Sequence, residues 1–200
     1  ILTQADQNPA DATRILDVYR NASYPTVAGG NDNYNREHTW PSSYGFPTNI
    51  SSNYPYTDSH HLFLADSSYN SSRGNTAYRS CDAACTEKPT LENGGAGGGS
   101  GTFPGNSNWR RGSGSTGRWQ TWVGRQGDVA RALLYLDVRY EGGTHGGSGL
   151  AEPDLILTDD LALLTTTSGN VAVAYMGQLS TLLTWHATDP VDAKERARND

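Results

Sequence analysis

The stretch YNREHTWPSS, residues 34–43, places a carboxylate directly before an imidazole in a chain that has only five histidines. The two residues are Glu37 and His38. Neighbouring side chains on an extended strand point to opposite faces, so these two share a task only if the backbone bends or a ligand reaches both. Pro41 lies three positions after His38 and favours such a bend.

The chemistry available to this pair is activation of water beside a metal ion. An imidazole titrates near neutrality and can take a proton from water. A carboxylate can hold a hard cation such as Mg²⁺, which prefers oxygen ligands and keeps several waters. The same pair is also typical of an exposed glutamate beside a structural histidine, so Glu37 and His38 need a second motif to decide between the two interpretations.

That second motif lies in TDSHHLFLADSSYNSSRGNTAY, residues 57–78. We predict one helix over residues 60–73, ended by Gly74, because glycine commonly follows the last helical residue. This helix would carry Asn70, whose carbonyl oxygen can bind a cation without adding negative charge that repels phosphate.

The two blocks together resemble the endonuclease I family. The matching motifs are N-R-E-H-x-W-P-x-S followed by D-x-H-x-L and N-x-x-R-G-N, and the later text GRQGDVARALLYLDVRYEGG, EPDLIL and LSTLLTWHATDPVD resembles the C-terminal half of the family. The resemblance covers roughly residues 10–200. It implies a secreted or periplasmic non-specific nuclease with a His-Me finger (ββα-metal), in which a β-hairpin presents the histidine and the following helix presents the asparagine.

The resemblance implies a role for each residue of the two motifs. His38 falls on the general base, Glu37 on the acidic metal ligand and Asn70 on the amide metal ligand. The implied cofactor is one divalent cation, Mg²⁺, with Mn²⁺ or Ca²⁺ as possible substitutes. Water activated by the base attacks phosphorus in line, and the metal stabilises the leaving 3′-oxygen, which gives 5′-phosphate ends.

The arginine that steadies the leaving group is harder to assign. Some relatives carry it in an insertion after the Glu-His pair, but this chain has no arginine between His38 and His60. We assign the role to Arg73, which matches the N-x-x-R motif, or to an arginine of residues 110–131.

Arginine also supplies most of the predicted substrate contacts, because a guanidinium can donate two parallel hydrogen bonds to phosphate. The residues assigned to substrate binding are Arg36, Asn75, Arg110, Arg111, Arg118 and Arg125. The last four lie near Trp109, Trp119 and Trp122, which can stack bases of a single strand. The tryptophans can equally well fix a glycine-rich loop to the body of the protein.

The predicted fold class is α+β, with residues 1–200 forming a single nuclease domain. Its His-Me finger core spans about 30–78, a glycine-rich loop spans about 93–117, and a C-terminal helical part spans about 125–200. Further helices are predicted at 9–22, from Gly127-Asp128 through Tyr140, at about 174–187, and from Asp189-Pro190 onward.

Composition limits the other possibilities. A net charge of −6 and a pI near 5.3 argue against binding nucleic acid by bulk charge. No apolar run approaches the roughly 18 residues of a membrane helix. Cys81 and Cys85 favour a short-loop disulfide over two free thiols, since two cysteines alone cannot complete a metal site. We expect a secreted or periplasmic monomer that binds DNA through phosphates, with RNA as an alternative substrate, and does not bind membranes.

Two other functions stay open at this point. One is a zinc-dependent hydrolase of another class, with zinc held by His38, His60 or His61 and a carboxylate. The other is a secreted binding module without enzymatic activity, whose loops rich in Trp, Tyr and Gly bind glycans or a matrix polymer.

Overall fold

The computed structural model describes residues 1–28 and 31–199. Its helices are α1 Leu2–Ala5, α2 Tyr54–Thr57, α3 Ser67–Arg73, α4 Gln126–Arg139, α5 Leu179–Thr188 and α6 Ala193–Asn199. Its strands are β1 Gln7–Asn8, β2 Asp11–Leu16, β3 Ser23–Pro25, β4 Tyr34–His38, β5 Leu62–Asp66, β6 Thr86–Lys88, β7 Asn108–Arg111, β8 Arg118–Gln120, β9 Asp154–Leu157 and β10 Val173–Met176. The predicted α+β class is confirmed.

The centre of the molecule is a strand–strand–helix unit made of β4, β5 and α3. Strands β4 and β5 pair antiparallel along their whole length, with Glu37 opposite Phe63 and His38 opposite Leu62. Helix α3 follows β5 without a loop. The unit therefore brings the Glu-His pair and Asn70 to one part of the fold.

The single helix predicted over residues 60–73 is wrong in its first half, which is strand β5. All five residues of β5 are buried, and a short apolar run does not distinguish a buried strand from a helix. The helix begins only where Asp66 caps it, accepting hydrogen bonds from the backbone N–H groups of Ser68 and Tyr69. Gly74 ends it as predicted, with a φ of +55°.

The helix predicted over residues 9–22 is also wrong. Its first part is strand β2, which pairs with β1 and β3. After the strand, the buried carboxylate of Asp17 accepts hydrogen bonds from three backbone N–H groups within the next five residues. Asn21 then takes a positive φ of 57°. These local bonds compete with a helix, which hydrophobic spacing alone does not reveal.

In the C-terminal half, α4 confirms the predicted helix and buries Val129, Leu133 and Leu136 against the core. Residues 173–176 are strand β10, parallel to β9, so the helix predicted at 174–187 is wrong at its start and is α5 thereafter. The last predicted helix is present as α6. Helix α4 contacts both α5 and β9, which closes the core on this side.

The segment between α3 and α4 is more ordered than its composition predicts. The glycine-rich loop predicted over 93–117 contains β7, which pairs with β6 and β8 in a three-stranded sheet. The predicted disulfide joins Cys81 and Cys85. Trp119 is fully buried against Tyr19, with ring centroids 5.1 Å apart, so it fixes this sheet to the body. None of the helices within residues 1–28 and 31–199 has the length and apolar character of a membrane span.

Candidate active-site cleft

A cleft of about 210 Å³ opens where β4 ends and α3 begins its last turn. It brings together five of the residues predicted from the sequence, with polar and small residues of the neighbouring loops. Its lining consists of Arg36, Glu37, His38, Pro41, Ser42, Ser43, Asn70, Gly74 and Asn75. Motifs more than thirty positions apart in the chain therefore share one solvent-accessible site.

His38 is held in one tautomer by the backbone. Its Nε2 lies 2.9 Å from the carbonyl oxygen of Tyr56 and donates a hydrogen bond to it, which leaves Nδ1 as the basic nitrogen. Burial lowers the pKa of His38 to about 4, with a smaller contribution in the same direction from the positive charges of Arg36 and Arg73. The hydrogen bond to the Tyr56 carbonyl opposes this shift. The imidazole is therefore neutral at pH 7 and can accept a proton.

Glu37 is buried, with 2% of its surface exposed, and its two oxygens differ. Oε1 accepts hydrogen bonds from the Tyr19 hydroxyl at 2.7 Å and from Arg73 at 2.9 Å. Oε2 accepts none from the residues that the structure describes. Burial raises the pKa of Glu37, while Arg73 and the hydroxyl of Tyr19 oppose that rise. A cation in the cleft would favour the ionised carboxylate further.

Arg73 is enclosed behind the cleft. Its guanidinium also donates to the carbonyl oxygens of His38 at 3.0 Å and Thr39 at 2.7 Å, and it lies over the ring of Tyr78 at 4.5 Å. With 1% of its surface exposed, Arg73 has no free surface for a leaving group. The geometry instead gives it the task of tying α3 to β4 and fixing the carboxylate of Glu37.

Sequence reasoning missed the tyrosines of this buried network. Tyr19 and Tyr78 are both fully buried, and their hydroxyls are 2.6 Å apart. Tyr19 lies in a segment that the hydrophobic spacing assigns to a helix, and neither tyrosine belongs to a recognisable motif. Their positions depend on the tertiary fold, so the sequence offers no signal for them.

Asn70 is oriented by a residue of the facing strand. Its side-chain Nδ2 donates to Oδ1 of Asn35 at 2.7 Å and to the carbonyl oxygen of Arg36 at 3.2 Å. Both amide hydrogens are thereby engaged, and Oδ1 is left as an acceptor for a ligand. Asn35 was missed as well, although its place beside Arg36 in the first motif is a usable signal.

The donors in the cleft fit a hard cation better than zinc. Glu37 and Asn70 offer a carboxylate and an amide oxygen, which Mg²⁺ accepts together with waters and a phosphate oxygen. Zinc prefers nitrogen and sulfur ligands, usually three or more from the protein. Across residues 1–28 and 31–199 there is no group of three His, Cys, Asp or Glu residues that could hold a metal. The Nε2 atoms of His38 and His61 are bonded to backbone carbonyls.

The buried imidazole of His61 should make the free energy of unfolding depend on pH. It is fully buried, its Nε2 contacts the carbonyl of Pro55 at 2.7 Å, and burial, followed by the nearby charge of His38, lowers its pKa from 6.5 to about 3. The unfolded chain therefore binds a proton at this histidine more tightly than the folded protein does. As a result, the contribution of His61 to the free energy of unfolding is fully present above pH 6.5 and is lost as the pH falls toward 3.

We expect His61→Gln to reduce the slope of the unfolding free energy against pH, between pH 6 and 4, by up to about 1.4 kcal/mol per pH unit. Urea unfolding at several pH values measures this slope. His186→Gln, at an exposed position of α5, is the matched control and should leave the slope as it is. Equal slopes for His61→Gln and the wild type would contradict the assignment.

The other arginines assigned to the substrate lie in four different surroundings. Arg125 is buried and paired with Asp128 and Asp192, each at 3.2 Å, so we leave it out of the proposed contacts. Arg118 donates to the carbonyl of Ser80 at 3.1 Å. Arg36 borders the cleft and is braced on Tyr56, 5.0 Å from the ring centroid. Arg110 and Arg111 line a separate groove on the sheet of β6, β7 and β8.

Comparison with known proteins identifies relatives of the chain. The family model described as Endonuclease I matches residues 3–200. An extracellular ribonuclease of Bacillus amyloliquefaciens is 35% identical over 205 residues, and one of Bacillus subtilis (strain 168) is 36% identical over 202 residues. The alignments cover 100% of this chain, which spans only 57% of the length of each relative. No solved structure is significantly similar.

Proposed function

Because the chain belongs to the endonuclease I family, we propose that it is a metal-dependent, non-specific endonuclease that hydrolyses phosphodiester bonds in RNA and DNA to 5′-phosphate ends. The observation that carries the proposal is the cleft itself. His38 is fixed by a backbone carbonyl with its basic nitrogen free, beside a carboxylate and an amide oxygen suited to a cation.

In the proposed mechanism, Nδ1 of His38 takes a proton from a water molecule as that water attacks phosphorus in line with the leaving 3′-oxygen. Glu37 and Asn70 would hold one divalent cation, Mg²⁺ or in its place Mn²⁺ or Ca²⁺, which supplies positive charge for the oxygens of the pentavalent transition state. Arg73 and Tyr19 keep the carboxylate of Glu37 in place, and Tyr56 keeps the imidazole in the required tautomer.

The proposed substrate contacts explain why the activity should not depend on sequence. Arg36 of the first motif and Asn75 of the second both border the cleft, where their side chains can bind phosphate and sugar. Such contacts carry no information about the bases. The two relatives are named extracellular ribonucleases, which supports RNA as a substrate and secretion of this protein. The attack uses water rather than the ribose 2′-hydroxyl, so DNA should be cut as well.

The chemistry of the product ends tests this proposal. We expect the protein with Mg²⁺ to nick supercoiled plasmid and to degrade RNA, with fragments of both carrying 5′-phosphates. DNA ligase reseals nicks only when the 5′-phosphate is present, and mass spectrometry of RNA fragments identifies their ends. Cyclic or 3′-phosphate ends on RNA together with intact DNA would contradict the proposal, because they indicate attack by the 2′-hydroxyl without an activated water.

A further inference from the structure

We propose that Lys88, Arg110 and Arg111 form a second phosphate-binding groove, which holds the substrate strand outside the cleft where it is cut. This proposal rests on the nuclease function proposed above and specifies its substrate as polynucleotides long enough to reach both places. We refer to the site as the sheet groove. Its lining consists of Thr86, Lys88, Arg110, Arg111, Gly112 and Ser113, and its volume is about 520 Å³.

Strand pairing places Lys88 and Arg110 together in the sheet groove, which Arg111 borders at the end of β7. Thr86 of β6 lies opposite Arg110 of β7, and Lys88 is two positions further along β6 on the same face. Glu87, between them, points to the other face, where its carboxylate accepts a hydrogen bond from the hydroxyl of Ser107 at 2.7 Å. The nearest acidic residue of the strand therefore faces away from the groove.

The positive charges of the sheet groove have no carboxylate partner among the described residues, although Arg110 donates one hydrogen bond to the carbonyl oxygen of Gly112 at 3.2 Å. None of the ion pairs found within residues 1–28 and 31–199 involves Lys88, Arg110 or Arg111. By contrast, Arg125 and Arg131 from the same stretch of sequence are paired with carboxylates. In a chain of net charge −6, three uncompensated cations in one concavity are a local exception, and guanidinium groups suit phosphate.

The sheet groove and the cleft lie on two sides of α3. Lys88 rests on the ring of Tyr69, with Nζ 4.8 Å from the centroid, and Tyr69 directly precedes Asn70 in the chain. Just after the end of the helix, Asn75 lines the cleft. Two residues later, the N–H of Ala77 donates a hydrogen bond to the carbonyl oxygen of Gly114 at 3.4 Å, and Gly114 directly follows Ser113, which lines the sheet groove.

The path between the two sites is short. Two residue steps from Asn75 to Ala77, the hydrogen bond of 3.4 Å to Gly114 and one further step to Ser113 together span at most roughly 15 Å. A single strand that crosses the end of α3 therefore leaves the cleft and enters the sheet groove within a few nucleotides. Contacts of this kind go to the phosphates and require no particular base.

Binding measured without catalysis tests the sheet groove directly. In EDTA, fluorescence anisotropy gives the affinity for single-stranded DNA of about 20 nucleotides at several salt concentrations. The variant carries Lys88→Gln, Arg110→Gln and Arg111→Gln together. We expect it to bind at least about ten-fold more weakly at low salt. Its slope of log K against log salt should be shallower by about 2, or about 0.7 for each phosphate that is no longer neutralised.

Arg196→Gln is the matched control, because it removes a positive charge from an exposed position of α6, a helix that lines neither the cleft nor the sheet groove. It should leave the slope unchanged. Circular dichroism and thermal unfolding establish that the triple variant is folded, and the single variant Arg111→Gln, at an exposed position, should show about one third of the change in slope. Slopes that are identical for the wild type and both groove variants would overturn the sheet groove.

The same proteins with Mg²⁺ separate the sheet groove from the proposed nuclease function. The value of kcat/KM is measured for the long oligonucleotide and for a dinucleotide, and the ratio of the two values is taken. If the sheet groove binds the long strand, this ratio should fall about ten-fold or more in the triple variant. If the wild type cleaves neither substrate, the nuclease proposal fails, while the salt slopes in EDTA still decide whether the groove binds phosphate. A ratio that stays constant contradicts the groove and leaves the cleft unaffected.

Discussion

Replacing His38 by alanine is expected to lower kcat for cleavage of plasmid DNA and RNA by about 10²–10⁴-fold, the usual contribution of a general base. The effect should lie in kcat because the imidazole acts on the attacking water and not on the bound substrate. The structure supports this role through the bond between Nε2 and the Tyr56 carbonyl, which leaves Nδ1 unprotonated. Initial rates at saturating substrate measure the loss.

The control for this experiment is His186→Ala, because His186 lies at an exposed position of α5, outside the cleft. It should retain wild-type kcat. Binding of uncleaved DNA by His38→Ala should stay within a few-fold of wild type, since phosphate contacts such as Arg36 remain. A His38→Ala variant that is folded and retains more than a tenth of the wild-type kcat would contradict the role of His38 as the base.

Loss of the metal is expected to have an effect at least as large. Chelation by EDTA should abolish cleavage, and Mg²⁺ in excess should restore it, because the cation neutralises charge that develops on the phosphoryl oxygens. Asn70→Ala should lower kcat/KM by at least about 100-fold at a fixed low Mg²⁺ concentration, since loss of residues that only support the ligands costs about 10–100-fold in other metal sites. Higher Mg²⁺ should recover part of this loss.

Asn70 is the better ligand to replace, because Glu37→Ala would leave the buried guanidinium of Arg73 without its carboxylate and would strongly destabilise the fold. Asn199→Ala, at an exposed position of α6, is the matched control and should respond to Mg²⁺ as the wild type does. Full activity in EDTA, or an Asn70→Ala variant with a normal Mg²⁺ dependence, would contradict the metal site.

The parts of the site that can be predicted from the sequence are those with strong local signals. Glu37, His38 and Asn70 form two short motifs with specific chemistry, and the structure places all three in one cleft. The helix α4 was predicted because its apolar residues recur at helical spacing over fourteen residues. Gly74 was predicted as a helix end because few other residues favour a positive φ.

Apart from the helix predicted at residues 9–22, the errors arise where long-range contacts decide the structure. Strand β5 is a five-residue apolar run, which becomes a strand because β4 is available as its partner. Strand β10 likewise depends on β9. The role of Arg73 depends on burial between α3 and β4, and neither its partner Glu37 nor its contact with Tyr78 follows from the N-x-x-R motif.

The most direct test of the central claim is the position of the cation. Crystals grown with Mn²⁺ show the ion by its anomalous scattering, independently of activity. We expect one strong peak in the cleft, beside the carboxylate of Glu37 and the side-chain oxygen of Asn70. Crystals of active protein in saturating Mn²⁺ that show no peak between these two oxygens would contradict the metal-dependent mechanism.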